Sequence, residues 1–185
     1  MTATTTTPSL YQQVLGADFA RLDPAVRRFH RLAGHHLLHG WVETTAPRSQ
    51  PARLLARCLG SPVQGGSGPF RFELRAAPGH ETWTRFFPSR TMRSTLRLRH
   101  REIVESLGPA RVIFRMAVSG NRLAMVLGRL YFLGIRCPAF LAPRIEAEEW
   151  GADDRLFFRI EASVPWVGVV ARYSGHLDMP AEQPA

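Results

Sequence analysis

From residue 70 onward the chain alternates between apolar and polar residues. Phe70, Phe72 and Leu74 are spaced by Arg71, Glu73 and Arg75, and Met92, Leu96 and Leu98 by Arg93, Thr95, Arg97 and Arg99. Val112, Phe114, Met116 and Val118 follow, then Leu156, Phe158, Ile160, Ala162 and Val164, with Arg159, Glu161 and Ser163 between the last members. In a strand, successive side chains point to opposite faces, so a period of two means one buried face and one wet face. Parallel strands, buried on both faces, would read as continuous apolar runs, so the pattern predicts an antiparallel sheet. The connectors "APGHE", "PSR", "GPA", "SGN" and "GADD" are short turn segments, which makes successive strands pair as a meander.

The fold expected is α+β, mostly β. About nine strands run from His36 to Leu177, and a twisted meander of that many curls into a curved sheet or barrel. The segment "LYFLGIRCPAFLAPRIEAEE", residues 130–149, fits a corner in such a sheet. Leu130 to Ile135 ends one strand, Pro138 and Pro143 form a bend that cannot pair, and Ile145 to Trp150 begins the next.

Two to three helices precede and cover the sheet. Ser9 caps a short helix through Leu15. Asp23 is the N-cap, and Pro24 the first residue, of a second helix, whose Val26, Phe29 and Leu32 share a face before Gly34. A third begins at Pro51, carries Leu54, Leu55, Cys58 and Leu59, and stops at Gly60. Between the last two, "HLLHGWVETT" reads as the first strand, and "GSPVQGGSGP" as a flexible connector. At 185 residues this is one domain, spanning 9–178, with a disordered lead at 1–8 and tail at 179–185. It is large enough to bury a core without disulfides or metal.

The net charge of +9 comes with 24 basic residues, all of them Arg. A chain without Lys is explained more simply by coding bias than by phosphate contacts. The row Arg93, Arg97, Arg99 and Arg101 lacks the interleaved aromatic platforms of single-stranded nucleic-acid binders, so no nucleic acid is expected. That row is a solvated outer face, or a docking surface for an acidic partner or a membrane. Cys58 and Cys137 stand apart from any zinc or redox spacing, which predicts reduced thiols and a cytoplasmic location. The "MTATTTTPS" start lacks signal-peptide regions. The longest apolar stretch, Leu123 to Ile135, falls short of the ~20 residues a membrane helix needs.

Catalytic motifs are missing. The histidines of "GHHLLHGW" do not converge in a strand and lack a third ligand, so no metal is expected. No nucleophile elbow, papain-like cysteine or phosphate loop occurs, and no cofactor is implied. Glu146 and Glu148 share a strand face toward water or a neighbouring Arg. In "WTRFF", residues 83–87, Trp83 and Arg85 share one face, and Thr84 and Phe86 the other. If the first face is internal, Arg85 needs an acidic partner or a ligand carboxylate or phosphate.

In order and spacing, "LYQQVLGADFARLDPAVRRFHRLAG", "WTRFF", "LGIRCPAFLAPRIEAEE" and "VPWVGVVARYSGHL" resemble a bacterial domain of unknown function, family 4166. That domain occurs alone, fused after saccharopine-dehydrogenase-like dinucleotide-binding domains, or after membrane segments. The matching positions are Trp83, Arg85, Gly134, Pro138, Pro143, Glu148, Pro165, Gly168, Tyr173 and Gly175. The resemblance implies a domain and no activity.

Together these readings lead to a non-catalytic binding domain for a hydrophobic or lipid-like ligand in a barrel-like cavity. The candidate ligand contacts are Trp83, Arg85, Arg144, Glu148 and Tyr173. One alternative is a module that docks on a Rossmann-type oxidoreductase or a membrane partner through the arginine face. Another is an enzyme acting on a hydrophobic substrate, with a Glu or His as base.

Overall fold

A computed structural model describes residues 7–180. Residues 1–6 of the expected lead and 181–185 of the expected tail lie outside the described residues. The ordered packing continues past 178, because Met179 is buried and its N–H donates to the Asp154 carbonyl at 3.1 Å.

The three helices form where their caps place them. In α1 (Leu10–Leu15), the Ser9 hydroxyl accepts from the Gln12 N–H while the Gln12 side chain accepts from the Ser9 N–H. This reciprocal cap satisfies two donors that a helix start otherwise leaves free. A 3-10 segment, Gly16–Arg21, leads to α2 (Pro24–Arg31), where the Asp23 carboxylate accepts from Ala25 N–H at 3.0 Å. In α3 (Gln50–Cys58) Ser49 is the cap, and its hydroxyl also donates to the Val167 carbonyl at 2.6 Å.

The strands are β1 (Gly34–Thr44), β2 (Gly66–Ala77), β3 (His80–Phe87), β4 (Arg90–Arg99), β5 (Glu102–Leu107), β6 (Ala110–Ser119) and β7 (Arg122–Phe132). Then come the two-residue β8 (Ile135–Arg136), β9 (Arg144–Ala152), β10 (Arg155–Val164) and β11 (Gly168–Asp178). β1 to β7 pair in sequence order, β9 pairs with β7, β10 and β11 follow, and β11 returns to β1. Every pairing is antiparallel, so the sheet closes into a ten-stranded barrel with β8 as an appendage on β7. The closure removes all long free edges.

Three local expectations change. The strand count exceeds nine because His100 and Arg101, both at positive φ, make a tight hairpin that separates β4 from β5. Arg101 therefore sits in a turn and leaves the arginine row of Arg93, Arg97 and Arg99. The Gly-rich connector is also half strand: Gly66 to Pro69 pair with Thr44 to Trp41 of β1, because ladder hydrogen bonds need backbone only. Gly34 opens β1 at φ 85° instead of ending α2.

Chain direction assigns the two ends of the barrel. α1, the 3-10 segment and α2 plug the end where β1 begins. There Asp23 N–H donates to the Asn121 carbonyl at 2.9 Å, and Arg28 pairs with Asp154 at 2.6 Å. Leu10, Tyr11, Val26 and Phe29 pack from these helices onto the barrel interior. α3 lies at the opposite end, with Ala52 and Ala56 against Val170. The proline corner is at that same rim, as a 3-10 turn over Ala139–Leu141.

Candidate functional site

The barrel is not filled. Its inward side chains enclose a cavity of about 440 Å³, walled by residues such as Phe70, Phe72, Leu96, Ile103, Met125 and Phe158. Tyr11 and Phe29 form the floor, and Leu55 of α3 and Leu59 just after it overhang the other end. β7 touches β9 only from Leu123 to Val126. Beyond that the two strands part, and Leu130, Phe132, Leu141, Pro143 and Ile145 line the gap. The mouth is thus the divergence of two strands bridged by the proline corner.

The lining carries polar side chains as well, including Ser61 at the α3 end. Arg85, Glu105 and Glu149 are the charged residues on the lining, and Tyr11 and Tyr173 are on it too. Arg85 donates to the Ser94 hydroxyl at 3.0 Å and to Glu105 at 3.4 Å. Its guanidinium lies 5.0 Å from the Trp83 ring and 5.8 Å from Phe72, positions at which ring quadrupoles attract a cation. The acidic partner that a buried Arg85 requires is therefore Glu105.

Glu149 accepts from His30 Nε2 at 2.7 Å, in a contact from which water is nearly excluded. With Nε2 donating, His30 Nδ1 has no partner among the described residues. The imidazole stacks on Tyr11 with ring centres 3.6 Å apart, and Tyr11 in turn lies parallel to Trp83. The Trp83 indole N–H donates to Glu81 at 2.8 Å. Burial raises the Tyr11 phenol well above its ordinary value, and Glu149, Glu81 and Glu105 push it further. Burial likewise raises Tyr173. Both stay neutral and able to donate throughout the physiological range.

Burial is also the main reason the Glu81 carboxyl titrates above its ordinary 4.5, with repulsion from Glu149 adding to it and His30 and the Trp83 hydrogen bond opposing. The native state then holds the proton more tightly than the unfolded chain. Stability is greatest below the unfolded value and falls as pH rises through the folded one. Glu81→Gln keeps an acceptor for Trp83 and cannot ionise. It should raise stability at neutral pH and flatten that slope, as read by urea midpoints across the acid range; a slope equal to wild type would remove Glu81 as its source.

Of the five contacts expected from sequence, Trp83, Arg85 and Tyr173 meet on the cavity lining. Arg144 and Glu148 do not. Arg144 lies on the outside beside Glu146, and Glu148 pairs outside with Arg122 at 3.2 Å and Arg159 at 3.6 Å. Alternation along β9 turns Glu149 inward instead. Sequence reasoning missed Tyr11, His30, Glu81, Glu105 and Glu149 as a cluster. The apolar pair Ile103–Val104 was the available signal for β5 and hence for Glu105. The histidines of β1 stay outside or on backbone: His35 binds Glu73 and His36 the Ala33 carbonyl. No cluster of three metal-ligating side chains occurs among the described residues.

No helix among the described residues is long and apolar enough to cross a membrane. No curated protein matches the chain. The solved structure of Rv2717c from M. tuberculosis is similar at 11% identity and a TM-score of 0.48, over 86% of this chain and 99% of that one. A family model described as Domain of unknown function (DUF4166) matches residues 22–177, the ten barrel strands almost entire together with α2 and α3, and the chain belongs to that family.

Proposed function

We propose that this domain binds a small hydrophobic molecule whose apolar body fills the barrel and whose polar end is neutral. The observation that carries this is the cavity itself: about 440 Å³, within the range of small-molecule sites, with largely apolar walls and a few polar groups among them. At the ~30 Å³ a water occupies in the liquid, that is room for roughly fifteen heavy atoms. The neutrality follows from the charged groups on the lining. Arg85 is already matched by Glu105, and Glu149 adds a second carboxylate, so an anionic head would meet more repulsion than attraction. A hydroxyl or carbonyl would find Tyr11 or Tyr173 as donor and Glu149 as acceptor.

The test is native mass spectrometry of protein purified without detergent, with organic extraction of what remains bound and titration with Nile red as a neutral apolar probe. The expected result is a stoichiometric extract or saturable, displaceable Nile red binding. Ala147 lines the wall, and Ala147→Phe should fill the space and weaken Nile red binding by at least about tenfold with unchanged far-UV circular dichroism. A clean apo mass with no probe binding, or a filled variant that binds like wild type, would sink the reading.

A further inference from the structure

The open end of the barrel is built from residues 45–65, 87–90, 107–110, 132–144 and 164–168. These segments hold Arg48, Arg53, Arg57, Arg90, Arg136 and Arg144, and not one Asp or Glu. The five aspartates of the chain, Asp18, Asp23, Asp153, Asp154 and Asp178, all stand at the closed end. At the open end only Arg144 has an acidic partner, Glu146 on its own strand, among the described residues.

The same segments expose large apolar side chains to solvent. Trp166 is 84% exposed, Ile135 74% and Phe140 68%, with Leu54, Leu133 and Leu141 also exposed. Leu141 reaches the cavity mouth as well. Soluble surfaces rarely gather apolar residues in this way without a partner. Here the patch rings an opening whose connecting segments carry only basic charges.

We infer that this rim docks on the interface of an anionic lipid bilayer, with the cavity mouth facing the membrane. Aromatic and aliphatic side chains enter the headgroup boundary, and each nearby Arg adds attraction to an anionic leaflet, so the two kinds of residue act together. A second copy of the chain fits poorly, since a two-fold contact of this rim with itself would set arginines against arginines. The docking does not depend on what fills the cavity. Its consequence does rest on the binding reading: a hydrophobic ligand would pass between bilayer and barrel without crossing water.

Flotation of the purified chain with phosphatidylcholine vesicles, and with equimolar phosphatidylcholine and phosphatidylglycerol vesicles, tests this. Wild type should float with the anionic vesicles, less so as salt is added. The triple variant Ile135→Ser, Phe140→Ser, Trp166→Ser changes only exposed positions and should lower partitioning at least about tenfold. Arg97→Glu with Arg99→Glu, on the outer wall, should cost clearly less. Ala147→Phe should float like wild type, so the docking and the cavity reading fail separately. Wild type left in the buffer, a rim variant that floats unchanged, or equal loss from the wall variant would overturn the proposal. So would a wild-type dimer in sedimentation that the rim variant abolishes, which would mark the rim as a contact between copies.

Discussion

Alanine at position 175 is expected to destabilise the barrel severely. Gly175 faces inward on β11 opposite Val42, where an added Cβ would overlap the Trp41 carbonyl oxygen and stand 3.0 Å from the Phe158 ring. The obstruction is backbone, so no side chain can rotate away. Gly40, two residues along the same seam, has a matching close approach to the His176 carbonyl. Overpacking of a rigid site costs ~1–3 kcal/mol, and more where the backbone must part. Gly175→Ala should therefore remove ~3 kcal/mol or more of a total that is only ~5–15 kcal/mol for domains in general. Gly134→Ala is the contrast: its φ is 82° but nothing lies within reach of a Cβ, so about 1 kcal/mol of backbone strain is expected. Urea unfolding followed by circular dichroism reads both, and equal midpoints would show that the seam tolerates a methyl group.

The second large effect is at the floor. Glu149→Leu strands His30 in a site that is 3% exposed, and His30→Leu strands Glu149. Removing one member of a buried pair costs about 3–5 kcal/mol, whereas replacing both with apolar residues is often near neutral. Each single variant should therefore lower the urea midpoint sharply, and the double variant should recover most of the loss. Purely additive losses would mean that the two residues are held by their other neighbours and not by each other.

These positions also show what the sequence discloses. Strands with one wet face declare themselves by alternation, which is why the barrel, the shared face of Trp83 and Arg85, and the corner at Pro138 and Pro143 were all legible. The run Glu148–Glu149 is different. A one-residue change of register exchanges inside for outside, and nothing local to "EAEEW" decides which glutamate turns in. Tyr11 and His30 reach the site from helices, and helical periodicity gives the buried face of α1 and α2 but not the end of the barrel they plug. β5 was hidden because its entry turn, His100–Arg101, carries none of the glycine, proline, asparagine or aspartate that marks the other hairpins.

β1 and β11 bring the first and last strands of the described chain together, and this orders events in time. During synthesis β1 emerges among the first elements and has β2 as its neighbour soon after, but its other edge has no partner until β11 leaves the ribosome. For that whole interval Leu38 and Val42 face an unsealed interior beside a free strand edge. Such a state is slow to resolve and prone to pair with other chains. Gly40 and Gly175, which let the last seam close, therefore also shorten the life of the most aggregation-prone form this protein must pass through.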